Sequence, residues 1–102
     1  MKETEIENIE LSIDENLNKY LSYNIQKSID NSSIQVKTKY HEQYGFLKTI
    51  KEKLKENNTI MLSGRQISTL GGFAESLYND TKDKRLMNLV NEIKQKLKKF
   101  SN

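Results

Sequence analysis

The chain has 102 residues, no cysteine and a formal net charge of +3, which bounds it to one domain by length and excludes disulfides, zinc–thiolate sites and thiol nucleophiles. Apolar residues are 34% and charged residues 30% of the total, enough for a modest core because the apolar positions are periodic rather than scattered. No apolar run approaches the roughly 18 residues of a membrane span, and the acidic start 1–5 argues against a secretory signal, so the chain reads as cytoplasmic.

Charge is unevenly placed. Residues 1–19 carry Glu3, Glu5, Glu7, Glu10, Asp14 and Glu15 against two lysines, and the remaining body is basic. Lys, Asn and Ile together supply 36 of 102 residues, and Lys outnumbers Arg 15 to 2. These are residues of AT-rich codons, which points to a low-GC bacterium, its phage or its plasmid. The same bias discounts lysine abundance as evidence of function.

Residues 1–11 read as an acidic arm that fits either a helix, through Ile6, Ile9 and Ile13, or a short strand, through alternating glutamates. Ser12 and Glu15 then match a capping box. A helix is expected from there to about residue 29, with Ile13, Leu17, Tyr20, Leu21, Ile25 and Ile29 near the 3.6-residue period. From 33 to 40 the period changes to two. Ile34, Val36, Thr38 and Tyr40 alternate with Gln35, Lys37 and Lys39, which predicts a strand with a basic outer face. A helix over 44–56 follows, with Phe46, Leu47, Ile50 and Leu54 inward. The run 59–62 reads as a brief strand against 33–40 or as an extended approach to the next helix.

The last third predicts two amphipathic helices, 63–80 and 83–100, joined by a tight turn. Ser63 and Gln66 form a second capping-box pattern. Ile67, Leu70, Ala74, Leu77 and Tyr78 line the first helix. Leu86, Leu89, Val90, Ile93, Leu97 and Phe100 line the second. A turn this short demands an antiparallel hairpin. The expected fold is α+β and helix-dominated, with about four helices, a small sheet element near 33–40 and this C-terminal hairpin, as one domain over 1–102.

Gly71-Gly72 breaks a local rule, since each glycine inside a helix costs about 0.5–1 kcal/mol relative to alanine. Gly71 falls on the buried stripe and reads as a close-packing device. Gly72 lies about 100° off that stripe, where it fits a kink, a surface that a partner approaches or a neutral accident. A helix-turn-helix split at Gly71 is the competing reading, but the segment 73–80 beyond it holds Glu75 and Asp80 and no base, the wrong charge for lying along phosphates.

Candidate binding residues are the bases and their neighbours: Lys37, Lys39, Tyr40 and Tyr44 around the predicted strand, Arg65 at the start of the third helix, Gly72, and Lys82, Lys84 and Arg85 at the start of the fourth. Catalysis has little to build on. His41 is the sole histidine, and no nucleophile motif, phosphate loop, dinucleotide fingerprint or metal-ligand spacing is present. The sequence therefore assigns no catalytic residue, cofactor or metal.

In size, charge asymmetry and low-GC composition the chain resembles phage and plasmid accessory proteins, inhibitors of host defence nucleases such as anti-CRISPR proteins among them. That resemblance is one of type and rests on no particular residue. It implies a non-enzymatic module that blocks a host nucleic-acid-processing or defence complex by steric occlusion in the bacterial cytoplasm. A small basic DNA- or RNA-binding regulator and a self-associating homodimer are the other classes the residues fit.

Overall fold

The computed structural model describes residues 6–100. Their order is β1 (Ile9–Ser12), α1 (Glu15–Asn31), α2 (Ile34–Lys39), α3 (His41–Glu56), β2 (Thr59–Leu62), α4 (Gly64–Thr81) and α5 (Lys84–Phe100). The fold is helix-dominated, with a two-stranded antiparallel sheet. The chain divides into two compact units, one of residues 6–10 and 61–100 and one of Leu11–Ile60. It passes between them within β1 and again within β2.

The strands obey a period of two. Ile9, Leu11, Ile60 and Leu62 are buried, while Glu10, Ser12, Thr59 and Met61 face out. Ser12 does not cap α1. Its hydroxyl bonds the Thr59 hydroxyl across the ladder at 2.8 Å, and the cap passes to Asp14, whose Oδ2 accepts from the Asn16 and Leu17 amides at 3.0 and 3.3 Å. The acidic arm expected over 1–11 is thus a strand at its inner end. Its first five residues lie outside the described ones.

The strand expected over 33–40 is helix α2. β-Branched alternation is a context-dependent preference, and residues 33–40 do not join the β1–β2 sheet. Ser33 decides the local contest: its Oγ accepts from the Val36 amide at 3.1 Å and starts a helical turn. Tyr40, with φ −112° and ψ 36°, ends α2 and begins α3, so α3 starts at His41 rather than near Tyr44.

In the Leu11–Ile60 unit α1 packs on α3. Leu17, Leu21 and Ile25 of α1 and Leu47, Ile50 and Leu54 of α3 are buried. Among them sits a polar side chain, Asn18. Its Nδ2 donates to the Leu54 carbonyl at 2.9 Å and to Asn58 Oδ1 at 2.5 Å, and its Oδ1 accepts from Ser22 Oγ at 3.2 Å. The Leu54 carbonyl is one of the four that α3 leaves without an intrahelical donor, and Asn18 supplies one.

In the other unit α4 and α5 form the expected hairpin. The Ser63–Gln66 capping box is present, with the Gln66 amide donating to Ser63 Oγ at 3.1 Å and the Ser63 amide donating to Gln66 Oε1 at 2.9 Å. Gln66 Nε2 also donates to Glu7 at 2.9 Å. Helix α4 runs unbroken through Gly71-Gly72, which removes the helix-turn-helix reading. A Cβ on Gly71 would stand 3.1 Å from Ile93 Cγ2, whereas one on Gly72 would meet nothing within 4 Å. Gly71 is therefore where α5 comes close to α4, and no packing among the described residues requires Gly72.

Two predictions follow the packing. Gly71→Ala, pressed against buried Ile93, should lower stability by about 1–3 kcal/mol, while Gly72→Ala should raise it by about 0.5–1 kcal/mol, both read from urea unfolding midpoints. Asn18→Leu should cost about 1–3 kcal/mol because it leaves the Leu54 carbonyl without its donor, and the loss should show as a lower midpoint at unchanged slope.

Candidate binding surface

The predicted binding residues divide between the two units. Lys37, Lys39, Tyr40 and Tyr44 belong to Leu11–Ile60; Arg65, Gly72, Lys82, Lys84 and Arg85 belong to the other. Within the second group, Arg65 lies in the first turn of α4 and Lys82 just past its last. The helical rise separates them by roughly 25 Å along the axis, so Arg65 and the Lys82–Arg85 cluster do not form one anion site.

The turn cluster is also less available than its charge suggests. Asp83 caps α5, accepting from the Arg85 amide at 3.0 Å. The same carboxylate grips the Arg85 guanidinium in a fork, Nε–Oδ1 at 3.1 Å and Nη2–Oδ2 at 2.7 Å. Lys82 adopts a left-handed backbone, φ 60°, that lets its amide reach the Tyr78 carbonyl at 2.6 Å. That conformation costs a non-glycine residue about 1–2 kcal/mol. The Lys82 ammonium lies 5.5 Å from the Tyr78 ring centroid. These residues shape and hold the hairpin turn.

The first group is arranged otherwise than a strand would arrange it. On a helix, Lys37 and Lys39 are separated by roughly 200° and do not share a face; Lys37 is half-buried and Lys39 exposed. The Lys39 ammonium lies 5.4 Å from the centroid of the Tyr40 ring. Tyr44 is an anchor: its hydroxyl bonds Ser32 Oγ at 2.5 Å and ties α3 to the end of α1.

What the basic residues surround is apolar. Helix α2 buries none of its residues. Ile34 is 78% exposed, Val36 41% and Tyr40 44%, and Tyr23 on α1 is 64% exposed. Single exposed apolar side chains are ordinary, but Ile34, Val36 and Tyr40 fall within seven residues, on or directly after a helix that contacts α3 without burying any residue of its own. Val36, Lys39 and Tyr40 lie on one side of it, and Ile34 and Lys37 on the other. Ile34 and Val36 were assigned to a strand's inward face by their alternation, so their exposure was not read from the sequence.

Among the described residues no cluster of three or more His, Cys, Asp or Glu is placed to hold a metal. None of their helices is long and apolar enough to cross a membrane. The chain matches no protein-family model, no curated protein and no solved structure.

The Arg85 fork holds the Asp83 carboxyl below its ordinary value, chiefly through the side-chain hydrogen bond and then the backbone one. A depressed carboxyl stabilises the fold above its unfolded value and loses that contribution as pH falls through the lower folded one. An NMR titration of Asp83 should therefore give a midpoint below 3.8, and Arg85→Gln should move it upward.

Proposed function

We propose that this protein is a non-enzymatic binding module that docks on a larger protein through α2 and blocks that partner's working surface by covering it. The observation that carries the reading is α2 itself, a helix with no buried side chain, one side of which presents the largely exposed Ile34 beside Lys37 while Val36, Lys39 and Tyr40 stand on the other. Such a surface suits a partner patch that is apolar at its centre and acidic at its rim. The low-GC composition supports a phage or plasmid accessory protein acting in the bacterial cytoplasm, with a host nucleic-acid-processing or defence complex as the target.

Direct nucleic-acid binding fits the same region less well. Lys37 and Lys39 diverge, and Lys39 lies near the ring on which a base would stack; in the other unit, Arg85 is held by Asp83.

The test is capture from a nuclease-treated lysate of a low-GC bacterium, with the native chain and Ile34→Asp immobilised in parallel. Ile34 is exposed and opens α2, where an acid favours the helix, so the variant should keep the fold. The native chain should retain a stoichiometric protein that Ile34→Asp loses by at least tenfold. Equal retention by both, or retention of DNA or RNA alone with a steep loss in salt and on Lys37→Glu with Lys39→Glu, would sink the proposal.

A further inference from the structure

The Leu11–Ile60 unit carries a second feature that α2 does not use. An open groove of about 610 Å³ runs between α1 and α3, a size in the range of ligand sites, with Leu54 and the bonded Asn18 among its lining residues. Lys19 and Tyr23 line it from α1, Lys51 and Lys55 from α3, and Asn57 and Asn58 from the turn that follows. We infer that this groove binds an acidic segment of the partner protein, an extended peptide whose carboxylates meet Lys51 and Lys55 and whose neighbouring apolar side chain lies against Tyr23. The inference rests on the protein-binding reading above.

Charge argues for the acids. Lys51 and Lys55 are one helical turn apart on the same wall, a like-charged pair that repels. Neither has an ion-pair partner among the described residues, and Lys51 is half-buried. Of the groove's own acids, Glu15 bonds Lys19 at 3.8 Å, and Glu56 follows Lys55 directly in the chain, beside the Asn57–Asn58 turn. A carboxylate between the two lysines relieves their repulsion. The exposed Tyr23 ring gives an adjoining apolar side chain a surface to cover.

A phosphate ligand is disfavoured. The α1 N-terminus, which would otherwise attract one, already has its Asn16 and Leu17 amides bonded to the Asp14 carboxylate and carries Glu15 beside it. These carboxylates stand at the Lys55 end of the groove, since Asn18, one turn into α1, bonds the Leu54 carbonyl and Asn58. They repel the concentrated charge of a polyphosphate, while an extended peptide can lay its polar backbone there and turn a single carboxylate toward the two lysines. Asn18 fixes the floor, so the groove exists before the ligand arrives.

The test titrates the isotopically labelled full chain with a blocked peptide of alternating glutamate and phenylalanine and, separately, with inorganic diphosphate. The peptide should shift the amides of Tyr23, Lys51 and Lys55 saturably. Lys51→Glu with Lys55→Glu, both at solvent-accessible positions, should weaken binding at least tenfold while the helical circular dichroism stays the same. Tyr23→Ala should weaken it too. Shifts spread equally over Lys94–Lys99, saturation by diphosphate in place of the peptide, or full affinity in the double variant would overturn the inference. The lysate capture separates the two readings. A partner lost by Ile34→Asp but kept in full by the lysine variant defeats the groove alone. Peptide binding in the groove without any captured protein defeats the proposed function alone.

Discussion

The Asn18 side chain does three things at once in the Leu11–Ile60 unit. It bonds α1 to the last turn of α3 through the Leu54 carbonyl, holds the Asn57–Asn58 turn through Asn58 Oδ1, and accepts from Ser22 one turn along its own helix. The turn then delivers β2: the Asn58 carbonyl accepts from the Ile13 amide at 2.8 Å, and Asn57 Oδ1 accepts from the Thr59 amide at 3.1 Å. A buried amide left unpaired costs about 1–3 kcal/mol, so these bonds admit few alternative arrangements. Apolar packing of Leu21, Ile25 and Ile50 supplies most of the stabilisation. It would tolerate sliding of α1 along α3, and Asn18 is what sets the register.

In the other unit the buried polar groups, Ser63 and Gln66, serve the cap of α4, and the helix pair is set by shape. Helices α4 and α5 meet where Gly71 leaves room for Ile93, and the close contact fixes which turn of one helix faces which turn of the other. The short connection must then reverse the chain within two residues, and Lys82 takes the left-handed conformation to do so. Glycine or asparagine is the usual occupant of that position. The Thr81 hydroxyl, accepting from the Asp83 amide at 3.2 Å, and the Asp83 cap on α5 hold the turn in its place.

Much of this was legible in the sequence, and the failures have physical causes. The hairpin, its capping box and the packing role of Gly71 follow from helical period and cap chemistry, which are local. Residues 33–40 misled because β-branched alternation is a weak preference, worth tenths of a kilocalorie and dependent on neighbours. A serine cap outweighs it. That single change redistributed the candidate site, since two lysines that share a strand face diverge on a helix, and the Ile and Val meant for a core stand in solvent. Asn18 was visible in principle: it lies three residues before Leu21 and seven before Ile25, on the buried stripe, where a polar residue asks for a partner. Its partners are 36 and 40 residues away, and no local pattern names them. Arg85 illustrates the converse. Its charge is evident from sequence, and its engagement by Asp83 two residues earlier becomes evident only once Asp83 is seen to cap α5.

Magnitudes bear on how such a small surface could block a larger partner. Burying Ile34 yields about 1.5–3 kcal/mol, and Val36 and Tyr40, on the other side of α2 and each already more than half covered, add less. Association costs about 4–15 kcal/mol in lost freedom, so α2 by itself gives a weak complex. Inhibition at nanomolar concentration needs about 12 kcal/mol net. The shortfall calls for a second point of attachment in the same unit, held at a fixed spacing so that its ordering cost is already met. The α1–α3 groove, with a floor set by Asn18 and two lysines lacking a counter-charge, supplies one. In the proposed complex, an extended acidic segment lying there while α2 docks at the other end of the α1–α3 pair would share one loss of rotational freedom between two contacts.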